Sequence, residues 1–210
     1  MTEGKFQCPP IFDRIMLWLS AGRHIDGLWV GTYVQTNAEP ALRRVEDSLR
    51  LIKAYDRHRN NRIVRDLERV WVRLLTTGAA QFSPFLQACI LDERFVLADT
   101  TDSELVAAAI VHEATHARLW RCGIRYDEDL RQRVEAVCFR RELAFARRLP
   151  NGHRVREWAE DALGTSSSYW TNVASHEREL EGSIQVLRHL EPNWVARIVL
   201  TILKWRAPRT

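Results

Sequence analysis

The stretch His112-Glu113-Ala114-Thr115-His116 constrains this chain more than any other. On an α-helix, residues four apart lie one turn apart on the same face. Two imidazoles at that spacing can present their nitrogens to one metal ion. Glu113 sits about 100° round the helix from His112, off the line of the two ligands and near the open side of the cation. There it can take a proton from the water that the metal activates. The chemistry needs the pentapeptide to be helical and the helix to be held in a core.

The flanking residues predict both. Phe95-Val96-Leu97-Ala98 reads as a short buried strand, followed by the polar run Asp99-Thr100-Thr101-Asp102. Thr101 and Glu104 have the spacing of a capping box, and Asp102 and Glu104 place negative charge where the helix dipole favours it. The helical pattern runs from Ser103 to about Arg121, with Gly123 as its stop. Leu105, Ala108, Ala109, His112, His116 and Leu119 follow i, i+3, i+4, i+7 spacing, so both histidines fall on the buried face. One such histidine is most simply a core residue with a hydrogen bond. Two of them a turn apart, beside a glutamate, favour a metal.

Catalytic zinc sites usually take three protein ligands and leave the fourth position to water. Six residues beyond His116 stands Cys122, and Leu119 occupies the place of an expected glycine, so a third-histidine arrangement is excluded. The acidic run Asp127-Glu128-Asp129 starts a second helix, which continues to about Arg148 and ends at Leu149-Pro150-Asn151-Gly152. On it Glu135 shares a face with Cys138, Phe139, Glu142 and Ala146. A carboxylate on a partly apolar face is costly unless it is paired or binds a metal. Glu135 lies 19 residues beyond His116, enough for one turn and an antiparallel return helix. The alternatives are a salt bridge from Glu135 to Arg131, and Asp127 or Asp129 as the third ligand.

With these residues, Phe95 to Arg148 resembles the gluzincin group of zinc peptidases, in which HExxH is followed by a glutamate from a second helix. The resemblance implies that His112, His116 and Glu135 bind Zn2+ and that Glu113 is the general base of peptide-bond hydrolysis. The segment from Leu105 to Leu149 is also similar to uncharacterised bacterial proteins with the same helix pair, which supply no substrate. Many gluzincins carry an aspartate four residues after the ligand glutamate to orient the first histidine. Phe139 stands there in this chain. Carboxylates of that kind fix imidazole tautomers, and Glu142 is the candidate for the role.

Peptide hydrolysis also calls for a donor to the developing oxyanion. His176 is the catalytic candidate, expected to point inward from a C-terminal helix with Val173, Leu180, Ile184 and Leu187 near one face. Tyr126, His153 and Tyr169 are the others. The Phe95–Ala98 strand, if it lies at a sheet edge, could pair with an extended substrate.

The remaining chain reads as one domain over residues 1–210, with 1–94 as N-terminal helices and strands, 95–149 as the metal-site core and 150–210 as a helical part. Leu28 to Tyr33 suggests a strand. Pro40 opens a helix ending near Tyr55, Arg57 to Asn61 reads as a turn, and Ile63, Leu67, Val70, Trp71 and Leu74 as a further helix. Ala88–Leu91 and Phe95–Ala98 look like a hairpin. The sum is a mainly helical α+β domain, zincin-like, with a small sheet beside the HExxH helix.

Charge and cysteine content narrow the partners. Only three of the 31 basic residues are lysine, and the arginines alternate with acids as on solvated helix faces. That bias fits a GC-rich bacterial coding composition, and it argues against a nucleic-acid partner. Cys8, Cys89, Cys122 and Cys138 form no CxxC pair, which reads as reduced thiols in a cytoplasmic protein. The N-terminus lacks a signal-peptide pattern. Trp194 to Trp205 is apolar but too short to span a bilayer; it reads as a helix docked on the core, with membrane-surface contact as the alternative. The leading function is therefore a zinc metallopeptidase acting on a peptide or protein. The alternative is a non-enzymatic zinc-containing binding or regulatory module.

Overall fold

A computed structural model describes residues 10–33 and 38–189. In chain order the elements are α1 (Pro10–Trp18), β1 (Ala21–Ile25), β2 (Leu28–Thr32), α2 (Glu39–Tyr55), α3 (Arg57–Asp66), β3 (Arg69–Arg73), β4 (Ala80–Ser83) and β5 (Ala88–Asp92). They continue with α4 (Glu93–Leu97), α5 (Ser103–Arg121), α6 (Glu128–Ala146), α7 (His153–Leu163), a 3-10 turn (Ser167–Trp170) and α8 (Asn172–His189). The architecture is mainly helical α+β. Its five-stranded mixed sheet runs in the order β1-β2-β3-β5-β4, with β2, β3 and β5 parallel and the outer two strands antiparallel to their neighbours.

The central strands carry apolar side chains on both faces, and this sets the layering. Val70, Val72, Cys89 and Leu91 turn to one side, where they meet Val45 and Leu49 of α2 and Val106, Ile110 and Ala114 of α5. Trp71, Ala88 and Ile90 turn to the other, against Met16 and Leu17 of α1. Helix α5 is thus sandwiched between the sheet with α2 and the outer pair α6 and α7. Val106, Ala107, Ala108, Ile110, Val111 and Ala114 are all buried, so its buried surface is wider than one stripe.

Several local expectations need correction. Phe95–Ala98 is not a strand and forms no hairpin with β5. Asp92 accepts hydrogen bonds from the backbone N–H groups of Arg94 and Phe95, which caps the chain into the short helix α4. The hairpin partner of β5 is β4, with Phe82 opposite Cys89. Arg57 to Asn61 is not a turn, because Asp56 accepts from the N–H of Arg59 and opens α3 there. Val70, Trp71 and Val72 belong to β3: a strand buried on both faces is continuously apolar, and over a few residues its pattern cannot be told from a helix. The cap of α5 is Asp102, which accepts from Leu105 N–H, and not Thr101. Glu104 instead accepts from Asn151 N–H and so ties α5 to the loop after α6.

Among the described residues, no helix is long and apolar enough to cross a membrane. The segment from Trp194 to Trp205 and Cys8 lie outside the described residues. The three described cysteines, Cys89, Cys122 and Cys138, are free thiols.

Candidate metal centre

The site is built where α5 and α6 lie side by side. His112 meets Glu142 while His116 meets Glu135, so one helix rises as the other descends and the two run antiparallel. The short connection from Cys122 to Asp127 forces this return. It brings residues far apart in sequence to within hydrogen-bond reach.

Glu135 stands between the two histidines. Its Oε2 lies 3.1 Å from His112 Nε2 and its Oε1 3.5 Å from His116 Nε2. The edge of a tetrahedron is about 1.6 times its centre-to-corner length, so zinc–ligand bonds of about 2.0–2.1 Å imply donor separations of about 3.3–3.4 Å. The Oε2–His112 separation is close to that value, and the contact to His116 is made by the other oxygen, Oε1. Glu135 is not engaged by Arg131, whose guanidinium donates to the Trp170 carbonyl and to Asn172 Oδ1.

Each donor is held from behind. Glu142 Oε2 lies 3.1 Å from His112 Nδ1, so the Nδ1–H points at that carboxylate and Nε2 faces Glu135. The carboxylate beside Nδ1 thus comes from Glu142, one turn beyond Phe139 on α6. Phe139 packs edge-on against the His112 ring, with centroids 4.6 Å apart. Tyr126, in the connection between the helices, donates its hydroxyl to Glu135 Oε1 and sets its ring edge against His116 at 5.3 Å. Cys138 is the further member: its Sγ and a ring nitrogen from each of His112 and His116 all lie within 4.8 Å of one another. Among the described residues, His112, His116 and Cys138 are thus the group whose single ligand atoms lie mutually within that limit, while Glu135 reaches one histidine with each of its two oxygens.

Glu113 is buried on the side of α5 that meets β4. Burial, reinforced by Glu135 and Glu142 and partly opposed by His112, pushes its carboxyl up to about 7, and the Phe82 backbone N–H favours its charged form. Burial would lower His112, but its hydrogen bonds to Glu135 and Glu142 and the nearby carboxylate charges carry it up to about 10. Burial takes His116 down to about 4. Burial alone would raise Glu135, yet His112, His116 and Tyr126 hold it below the usual carboxylate range. The thiol of Cys138 is pushed up by burial and by the surrounding carboxylates. The protein groups alone thus keep a proton on His112 between two glutamates, which is where a cation would take over the compensating charge.

The structure brings together His112, Glu113, His116 and Glu135. It does not bring His176 inward: that residue is exposed on α8, as are Val173 and Leu180 of the stripe expected to face the core. Gly182 is the buried position, so close to the Thr76 carbonyl that any Cβ would collide with it. Gly182, and not Val173 or Leu180, is therefore the point of closest packing of α8 among the described residues. Tyr169 is exposed under the Arg178 guanidinium, and His153 is exposed at the start of α7. The sequence suggests Tyr126 only as an oxyanion donor, whereas its hydroxyl is bonded to Glu135. Its place in a short helix connection was the available signal, since such a residue must lie close to both helices.

Searches for similar family models, curated proteins and solved structures gave no match.

Proposed function

We propose that this chain is a zinc-dependent peptidase of gluzincin type, with a zincin-like fold and peptides or proteins as substrate. The observation that carries the reading is the Glu135 carboxylate set between His112 Nε2 and His116 Nε2 at 3.1 and 3.5 Å, beside the buried Glu113. The donor set fits zinc, which takes two histidines and a carboxylate in hydrolytic sites. Zinc held there supplies a Lewis acid that acidifies water and polarises a carbonyl.

The chain's own groups do the rest. Glu142 fixes the His112 tautomer by accepting from Nδ1, and Tyr126 holds Glu135 through Oε1. Glu113, poised near neutrality, accepts a proton from the attacking water and hands it to the leaving amine. Phe139 and Trp170, with centroids 6.5 Å apart, shield the His112 side from solvent. Strand β4 replaces Phe95–Ala98 as the edge beside the site: it ends the sheet, packs against α5 and sets Phe82 next to Glu113. An extended peptide backbone pairing with β4 would run past the general base.

The test is Glu113→Gln. This variant should keep its zinc and lose peptide hydrolysis by roughly 10²–10⁴-fold, measured on a quenched fluorescent peptide library. Full turnover in the zinc-loaded variant would overturn the mechanism.

A further inference from the structure

We propose that Cys138 is a fourth protein donor to the metal held by His112, His116 and Glu135, a proposal that rests on the metal reading above. Glu135, Cys138 and Glu142 follow i, i+3, i+7 spacing, which aligns them along the face of α6 that meets α5. All three are buried, and Cys138 is wholly so, at 0% exposure. Glu142 is committed to His112 Nδ1, which leaves Glu135 and Cys138 as the two α6 donors on the side of the ring nitrogens. The Cys138 sulfur already lies within 4.8 Å of a nitrogen from each histidine.

A buried cysteine ordinarily needs no role beyond that of a small hydrophobe. Here its surroundings are two imidazoles and three carboxylates, a poor environment for an apolar group. Zinc–thiolate bonds of about 2.3 Å and zinc–nitrogen bonds of about 2.0 Å set a nitrogen–sulfur edge of about 3.6 Å. Charge favours the same set: two neutral imidazoles, one carboxylate and one thiolate neutralise a divalent cation, which suits a buried site.

The four donors are not equally anchored. His112 is braced by Glu142 and Glu135 by Tyr126, whereas no hydrogen bond holds the Cys138 sulfur among the described residues. With a metal bound, Cys138 would complete its ligand set without a hydrogen bond fixing the sulfur in advance.

The experiment uses cobalt(II) alone as probe on the metal-free full chain. Bound cobalt should show a sulfur-to-metal charge-transfer band in the near ultraviolet, and Cys138→Ala should bind cobalt with that band lost. Zinc X-ray absorption on the unaltered protein gives a second reading that is independent of how the variant folds. It should show one sulfur at about 2.3 Å beside nitrogen and oxygen at about 2.0–2.1 Å. One metal per chain with no sulfur band and no sulfur scatterer overturns this proposal and leaves the metal centre standing. Failure to bind either metal overturns both.

Discussion

Two sets of buried carboxylates in this molecule are treated in opposite ways. Asp56, Asp66 and Asp92 are 5%, 5% and 3% exposed, and each is matched by arginine: Arg59 and Arg148, Arg65 and Arg121, and Arg94. Glu113, Glu135 and Glu142 are equally hidden at 6%, 7% and 4%, yet among the described residues none forms a salt bridge to lysine or arginine. The chain is rich in arginine, so their isolation is not for want of cations. A buried charge without a partner is costly. One set is neutralised by arginines of the chain, and the other is gathered around two histidines, where the proposed metal would supply the missing charge.

The largest expected effect follows directly. Zinc at about 1,000 times its Kd should stabilise the folded protein by about 4 kcal/mol, seen as a rise in melting temperature that a chelator reverses. His112→Ala and Glu135→Ala should lose that rise, while Asp66→Asn should keep it. A zinc-dependent rise undiminished in both His112→Ala and Glu135→Ala would erase the distinction between the two sets.

Next in size is Asp66→Asn itself. Removing the carboxylate that takes both Arg65 and Arg121 should cost about 2 kcal/mol by denaturant unfolding, the same with and without zinc. Glu142→Gln should act the other way round: zinc affinity should fall roughly 10- to 100-fold by competition with a chelator, with a smaller change in the stability of the metal-free chain. An affinity change under twofold would mean that Glu142 does not orient His112.

The smallest effect concerns pH. Burial would raise Asp56 and Asp66, but their arginines and hydrogen bonds hold both below the usual aspartate range. A depressed folded pKa means stabilisation that is complete above the unfolded value of about 3.9 and is lost as pH falls through the folded value. Metal-free protein should therefore weaken as pH drops below about 4, and the Asp56→Asn, Asp66→Asn double variant should show a shallower loss there in urea titrations. An equal slope in both proteins would count against these pairs.

The cluster around His112 and His116 was more legible from sequence than the sheet that supports it. His112, His116 and Glu135 lie on two consecutive helices, and their helical spacing reports which side chains share a face. Glu142 could be read as the brace of His112 for the same reason. Strand β3 could not, because Val70, Trp71 and Val72 are buried on both faces and leave no alternation to detect. Helix α4 was hidden by a side chain: Asp92 caps it, accepts from Leu75 N–H and holds Arg94, and this tertiary knot overrides the strand propensity of Phe95 and Val96. His176 was misplaced because Val173 and Leu180, which were to carry its face inward, are exposed. The β1–β2 hairpin was readable and was passed over. Asp26-Gly27, both with positive φ, is the residue pair that a tight two-residue turn prefers.

The contrast between the two carboxylate sets stands or falls with one calorimetric titration, of zinc into the metal-free full chain. The account predicts one zinc per chain, with binding abolished in Glu135→Ala and retained in Asp66→Asn. No binding, or binding unchanged by the loss of Glu135, would contradict it.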